Sequence, residues 1–198
     1  MKPLRIFLSA ALVAVSVLPA PAAGISLAAL SSYMNSFQTA TGEFTQINAD
    51  GTISTGNIYI KRPGRIRFEY NPPDRSLVVA GGGTVAIFDS KSNTAPEQFP
   101  LRQTPLGIIL QKSVDLTRSD MVTGHGSDGP RTFVVAQDPE HPEYGNIRLV
   151  FSDNPVELRQ WVVTDSAGER TTVVLGELKK GGDLGAGLFS IQQEIKRR

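Results

Sequence analysis

The chain has 198 residues, with 20 Lys+Arg against 19 Asp+Glu, two histidines and no cysteine. Near-neutral charge excludes the strong basic field that nucleic acid demands of a partner. The missing cysteine excludes disulfides, thiolate metal sites, cysteine nucleophiles and lipid attachment at a processed N-terminal cysteine.

Taken in order, the chain opens with Lys2 and Arg5, an uncharged and mostly apolar run over 6–18, and the small-x-small triplet Ala20-Pro21-Ala22. Residues 1–22 therefore read as a secretory signal peptide, and the run is shorter than the ~20 residues of a membrane span. Cleavage after Ala22 leaves 176 residues, 18 basic side chains against 19 acidic ones and a net charge of −1. The expectation is one domain over 23–198, soluble and unanchored, in the periplasm of a bacterium with two membranes.

One long helix is predicted over 26–40, where Leu27, Leu30, Tyr33, Met34 and Phe37 form an apolar stripe behind Ser26 as N-cap. Almost everything after it reads as strand and turn. Residues 42–49 and 52–61 pair across the hairpin signal Asp50-Gly51. Pro63-Gly64 then breaks the chain before Arg65-Ile66-Arg67-Phe68-Glu69-Tyr70. In that run Ile66, Phe68 and Tyr70 share one face, while Arg65, Arg67 and Glu69 form a charged, solvated one.

Further strands are expected over 76–80 and 84–90, joined by Gly81-Gly82-Gly83. No Gly-Lys-Ser/Thr follows those glycines, so they read as a hairpin turn rather than a phosphate cradle. Thr104 as N-cap and Pro105 at the first helical position start a short helix over 106–111. Strand signals resume over 121–124, 131–137, 146–151, 158–164 and 170–178, and an apolar run over 188–191 precedes a basic, solvated tail. About ten strands joined by short turns imply antiparallel neighbours curling into a barrel or half-barrel.

Catalytic signals are sparse. His125 lies between glycines, read as a turn, and His141 lies in Asp138-Pro139-Glu140-His141-Pro142-Glu143, which reads as a solvated acidic loop rather than a metal site. No Gly-x-Ser-x-Gly elbow is present, and Ser152-Asp153 and Asp165-Ser166 read as turn chemistry. No enzymatic activity, cofactor or metal is expected.

Residues 37–46 (FQTATGEFTQ), 56–70 with its Lys-Arg-Pro-Gly-Arg core, 77–88, Thr104-Pro105-Leu106, 158–165 and 188–191 resemble the periplasmic outer-membrane lipoprotein carrier (LolA) family, across essentially the whole mature chain. The resemblance implies a mainly β fold: an unclosed antiparallel barrel with helices lidding an apolar concave face. It implies a monomeric carrier that accepts triacylated lipoproteins from an inner-membrane ATP-driven ABC transporter and passes them to an outer-membrane receptor. That receptor belongs to a related type with a lipidated cysteine, so a chain without cysteine matches the soluble carrier. A periplasmic lipid- or lipoprotein-sensing module of similar fold is the alternative.

Family position makes Arg62 the lid latch, hydrogen bonded to the lid helix. Phe44, Ile58, Ile60, Ile66, Phe68, Tyr70, Ile87 and Trp161 are expected to line the lipid cavity, and Leu30, Met34, Leu106, Ile109 and Leu110 to form the lid. The plain alternative, that these are ordinary core residues of a filled barrel, stays open. The resemblance departs at Ile66 and Phe68, where some members carry larger aromatics, and after Ile191, where the chain ends in a short basic tail instead of a longer loop.

Overall fold

The computed structural model describes residues 24–118 and 120–197. The segment read as a signal peptide lies outside them. The described chain starts with helix α1 (Leu27–Asn35) and continues into β1 (Thr39–Ile47), β2 (Ile53–Lys61), β3 (Arg65–Tyr70), β4 (Leu77–Gly81), β5 (Thr84–Phe88) and β6 (Glu97–Pro100). A 3-10 turn (Leu101–Gln103) and helix α2 (Leu106–Ile109) then lead to β7 (Val122–Asp128), β8 (Arg131–Gln137), β9 (Asn146–Asp153), β10 (Val156–Thr164) and β11 (Arg170–Leu175). A two-residue strand β12 (Lys179–Lys180), a 3-10 turn (Ala186–Phe189) and helix α3 (Ile191–Arg197) complete it.

All strands join one antiparallel sheet in the order β6-β5-β4-β3-β2-β1-β11-β10-β9-β8-β7, with β12 beside β1. Every neighbour in that order is a chain neighbour except β1 and β11, whose pairing joins the two halves through Phe44 opposite Leu175. The two end strands, β6 and β7, are consecutive in the chain. The sheet thus remains open between them, and residues 101–121 run from one edge to the other.

Register follows the alternation read in the sequence. Ile60, Ile66, Ala80 and Val85 line up across β2 to β5, and Ile58, Phe68, Val78 and Ile87 form the next row. Side chains of a strand alternate between faces, so these rows lie on the concave side. Gly82 and Gly83 both take positive φ, 60° and 81°, which a two-residue hairpin between twisted strands requires.

Several expectations are corrected. The N-terminal helix ends at Asn35 rather than at residue 40: the Ser36 amide and hydroxyl both donate to the Tyr33 carbonyl, and Thr39 and Ala40 already pair with Lys61 and Ile60. The tertiary ladder overrides the helical stripe there. Thr104 does not cap α2; its hydroxyl donates to the Leu101 carbonyl at 2.8 Å and closes the preceding 3-10 turn. His125 is a residue of β7, not of a turn.

The outer side of β3 is only partly solvated: Arg65 and Glu69 are half-buried and Arg67 is covered. Arg67 is 7% exposed, donates to Glu69 at 2.7 Å and to the Leu188 carbonyl at 3.0 Å, and lies 3.5 Å from Glu194 of α3. The expected basic tail is instead this helix, which seats Ile191 against Leu77, Val79, Ala86 and Phe88 in a small second core.

Candidate functional site

The concave face is a continuous apolar surface built from alternate residues of the central strands. Phe44 on β1 meets Phe68 and Tyr70 edge-on, with ring centroids 5.2 and 5.1 Å apart, and Phe68 reaches Trp161 on β10 at 6.3 Å. Edge-to-face pairs at these spacings bring the positive rim of one ring to the negative face of the next. Gly56 makes the Phe44 site possible: a Cβ there would lie 2.1 Å from the Glu69 carbonyl oxygen and 2.8 Å from the Phe44 ring.

At the margin of this face the Tyr70 hydroxyl donates to Gln46 Oε1 at 2.7 Å. Burial, helped by the nearby negative charge of Asp74, pushes the Tyr70 phenol up to about 12.

Of the eight residues expected on the wall, Phe44, Ile58, Ile60, Ile66, Phe68 and Trp161 are buried in one cluster, with Tyr70 packed against it. Ile87 falls in the right row but on β5, one strand in from the edge strand β6, where it is 37% exposed and outside that cluster.

The lid is seated on this wall. Leu30, Tyr33 and Met34 of α1, Ile108 and Ile109 of α2, and Leu110, Val114 and Leu116 beyond it are buried in the same cluster, with Leu106 partly so. In this closed arrangement the lid's own side chains fill the concave side. The two parts of the lid are tied together. Asn35 donates from Nδ2 to the Val114 carbonyl at 2.8 Å and accepts from the Val114 amide at 2.9 Å, while the Leu116 amide donates to Ser31 Oγ at 2.9 Å.

The turn between β2 and β3 grips both parts. Gly64 donates its amide to the Leu110 carbonyl at 2.8 Å, and the Arg62 amide donates to the Gln38 carbonyl at 2.8 Å. The Arg62 side chain donates through Nη2 to the Met34 and Phe37 carbonyls, and its guanidinium lies 5.3 Å from the Phe37 ring centre.

The last carbonyls of a helix have no intrahelical donor and carry partial negative charge, so a cation is favoured at that end. Arg62 supplies it. The residue is 4% exposed, no carboxylate pairs with it among the described residues, and its Nε and Nη1 have no hydrogen-bond partner. Burial pushes its pKa down. Arg62 therefore combines two charge-assisted hydrogen bonds with two unsatisfied buried donors, each of the latter costing about 1–3 kcal/mol.

A second feature lies where the sheet is open. A cleft of about 670 Å³ separates the 101–111 stretch from the β8–β9 connection, with Arg102, Gln111, Asp138 and Glu140 on its walls and Ile108 and Met121 among its lining.

Arg62 and the residues expected in wall and lid, apart from Ile87, were singled out in the sequence, and the structure places them in or beside one buried cluster. Asn35, Ser31 and Gly64 were not so singled out: their roles are backbone hydrogen bonds to segments up to 85 residues distant. The only available signal was a polar residue interrupting the apolar stripe of α1.

These features define a class, the open antiparallel half-barrel whose apolar concave face is shut by a hydrogen-bonded helical lid. Within that class, the chain belongs to the LolA family: the model described as "Outer membrane lipoprotein carrier protein LolA" matches residues 35–192.

The chain is 26% identical over 200 aligned positions to an outer-membrane lipoprotein carrier protein of Pseudomonas syringae pv. tomato, covering 97% of this chain and 95% of that one. It is 27% identical over 173 positions to one from Coxiella burnetii, covering 82% and 81%. Among solved structures, a DUF1329 family protein from Desulfovibrio piger superposes with a TM-score of 0.50 at 12% identity, covering 84% of this chain and 95% of that one. That likeness shows the fold alone.

Proposed function

We propose that this protein is a non-enzymatic periplasmic carrier that shields the acyl chains of lipoproteins between the two membranes. Residues 1–22 direct its export as a cleaved signal peptide. It accepts cargo from an inner-membrane ATP-driven release complex, delivers it to an outer-membrane receptor, and works as a monomer. Phe44, Ile58, Ile60, Ile66, Phe68, Tyr70 and Trp161 form the wall that the chains touch, with Ile87 at its mouth.

The observation that carries this reading is the Arg62 latch, which joins the lid to the sheet through two backbone carbonyls and no counter-ion. A triacylated cargo of about 45 methylenes, at about 0.8 kcal/mol each, would gain ~36 kcal/mol if fully moved out of water. Non-covalent affinities level off near ~18–21 kcal/mol, so a carrier capturing that whole term would hold its cargo permanently. A filled, lidded interior avoids this. Acyl chains displace lid side chains that were already buried, so much of the gain is cancelled by apolar surface newly exposed. The empty, latched state then competes with the loaded one and drives release.

The sign of the Arg62→Leu effect follows. Arg62→Leu removes the two bonds together with the two unpartnered donors, but it leaves the buried Met34 and Phe37 carbonyls without a donor, at about 1–3 kcal/mol each, and so destabilises the empty closed state relative to the loaded state. Lipoprotein should then be retained more tightly, and transfer from the variant to outer membranes should fall at least tenfold. The measurement is release of labelled lipoprotein from spheroplasts by the purified protein, followed by transfer to outer membranes. Delivery at the normal rate by a well-folded Arg62→Leu protein would remove the latch from the account. Failure of the unmodified protein to solubilise any lipoprotein would end the carrier reading.

A further inference from the structure

We propose that the cleft at the open seam of the sheet is a polypeptide subsite, holding the extended peptide that follows the lipidated residue of the cargo while the acyl chains lie under the lid. The inference rests on the carrier reading above.

Among the described residues the strand ladder is open between its end strands β6 and β7, and the segment between those strands crosses the opening. A ligand sheltered on the concave side but covalently continuous with a folded protein outside must leave through some gap, and the seam is the gap in the ladder. The cleft lies beside the segment that crosses this gap, with Arg102 and Gln111 on that segment and Asp138 and Glu140 on the facing β8–β9 connection.

Its lining changes character with depth. Ile108 and Met121, 7% and 4% exposed, line the cleft and also belong to the buried cluster of the concave face. A single layer of side chains therefore separates the cleft from the apolar interior. The rim has the opposite chemistry. The crossing segment offers Arg102, Gln111 and the Arg118–Asp120 pair, 3.1 Å apart, and the β8–β9 connection offers Asp138 and Glu140, so both donors and acceptors face the cleft; Arg102 makes no ion pair among the described residues.

Acyl chains cannot use such groups, whereas a peptide backbone presents an N–H and a C=O at each residue and can bond to both sides. The volume, about 670 Å³, lies within the range of small-ligand sites. An amphiphile's apolar-to-polar junction belongs where its host changes from apolar to polar. Here that boundary is Ile108 and Met121.

The test uses two photoreactive versions of one synthetic ligand, a tripalmitoyl-S-glyceryl-cysteine carrying a neutral tetrapeptide. In the first a diazirine sits in an acyl chain; in the second a benzophenone replaces the side chain of the third peptide residue. Each is loaded onto the protein and irradiated, and the labelled residues are mapped by mass spectrometry.

The expected result is acyl labelling on the concave wall around Phe68 and Trp161, with peptide labelling around Gln111 and Glu140. Gln111→Trp, which fills the cleft, should lower the ratio of peptide to acyl labelling at least fivefold. Acyl labelling of the wall with peptide labelling scattered elsewhere, or an unchanged ratio in Gln111→Trp, overturns the subsite and leaves the carrier intact. No acyl labelling of the wall at all overturns the carrier reading, and the subsite with it.

Discussion

Tyr70 shows how burial turns a single hydroxyl into a stability term. Its phenol is pushed up to about 12 from an ordinary value of 10.0, first by burial and then by Asp74. The folded protein thus keeps a proton that the unfolded chain gives up above pH 10. Stability from this group is complete below pH 10 and is lost as the pH rises through 12, about 2–3 kcal/mol in all. Tyr70→Phe should flatten this alkaline decline in urea unfolding while costing about 1 kcal/mol at neutral pH for the lost bond to Gln46. Part of the slope should remain, because Tyr59 is also shifted upward by burial and by Glu69. Parallel curves for the two proteins above pH 10 would contradict the burial argument.

Among elements, the two stretches of the lid are joined by hydrogen bonds and should open as one piece. Asn35 exchanges two hydrogen bonds with the backbone of Val114, an arrangement that fixes the end of α1 against the segment after α2. Asn35→Ala removes both and leaves the Val114 amide and carbonyl to find water. At about 0.5–1.5 kcal/mol per bond, the local opening free energy should drop by about 1–3 kcal/mol. Amides over residues 110–116 should then exchange with solvent roughly five- to hundredfold faster, with the central strands β1, β2 and β10 unaffected. Equal acceleration throughout the sheet would mean that the lid does not open as a separate unit.

For the whole molecule, the sheet carries two apolar surfaces, each covered by a different part of the chain. The concave one is covered by the lid, the outer face of β3 to β5 by α3 and the 3-10 turn before it. The outer cover is pinned by Arg67, which reaches Glu69, the Leu188 carbonyl and the neighbourhood of Glu194. Ending the chain at Ser190 would uncover Leu77, Val79 and Phe88 and remove the burial of Ile191. Fully burying one such side chain is worth about 1.5–3 kcal/mol, so the expected loss is on the order of 3 kcal/mol. Urea unfolding measures it, while lipoprotein binding on the opposite face should survive. Loss of binding in a truncated protein that still folds would show the two faces to be coupled.

What the sequence determined by itself was the alternation. Period two in 58–70 and the punctuation by Asp50-Gly51, Pro63-Gly64 and Gly82-Gly83 fixed which residues share a face and which strands are neighbours, because both are local consequences of backbone geometry. Motif likeness added Arg62. Only the tertiary structure decided where α1 gives way to β1, that β1 pairs with β11, and that Arg67 is covered. It alone brought Asn35, Ser31 and Gly64 to their partners. Each of those outcomes depends on contacts between segments distant in the chain. A polar side chain in such a segment looks the same in sequence whether water or a buried backbone carbonyl awaits it.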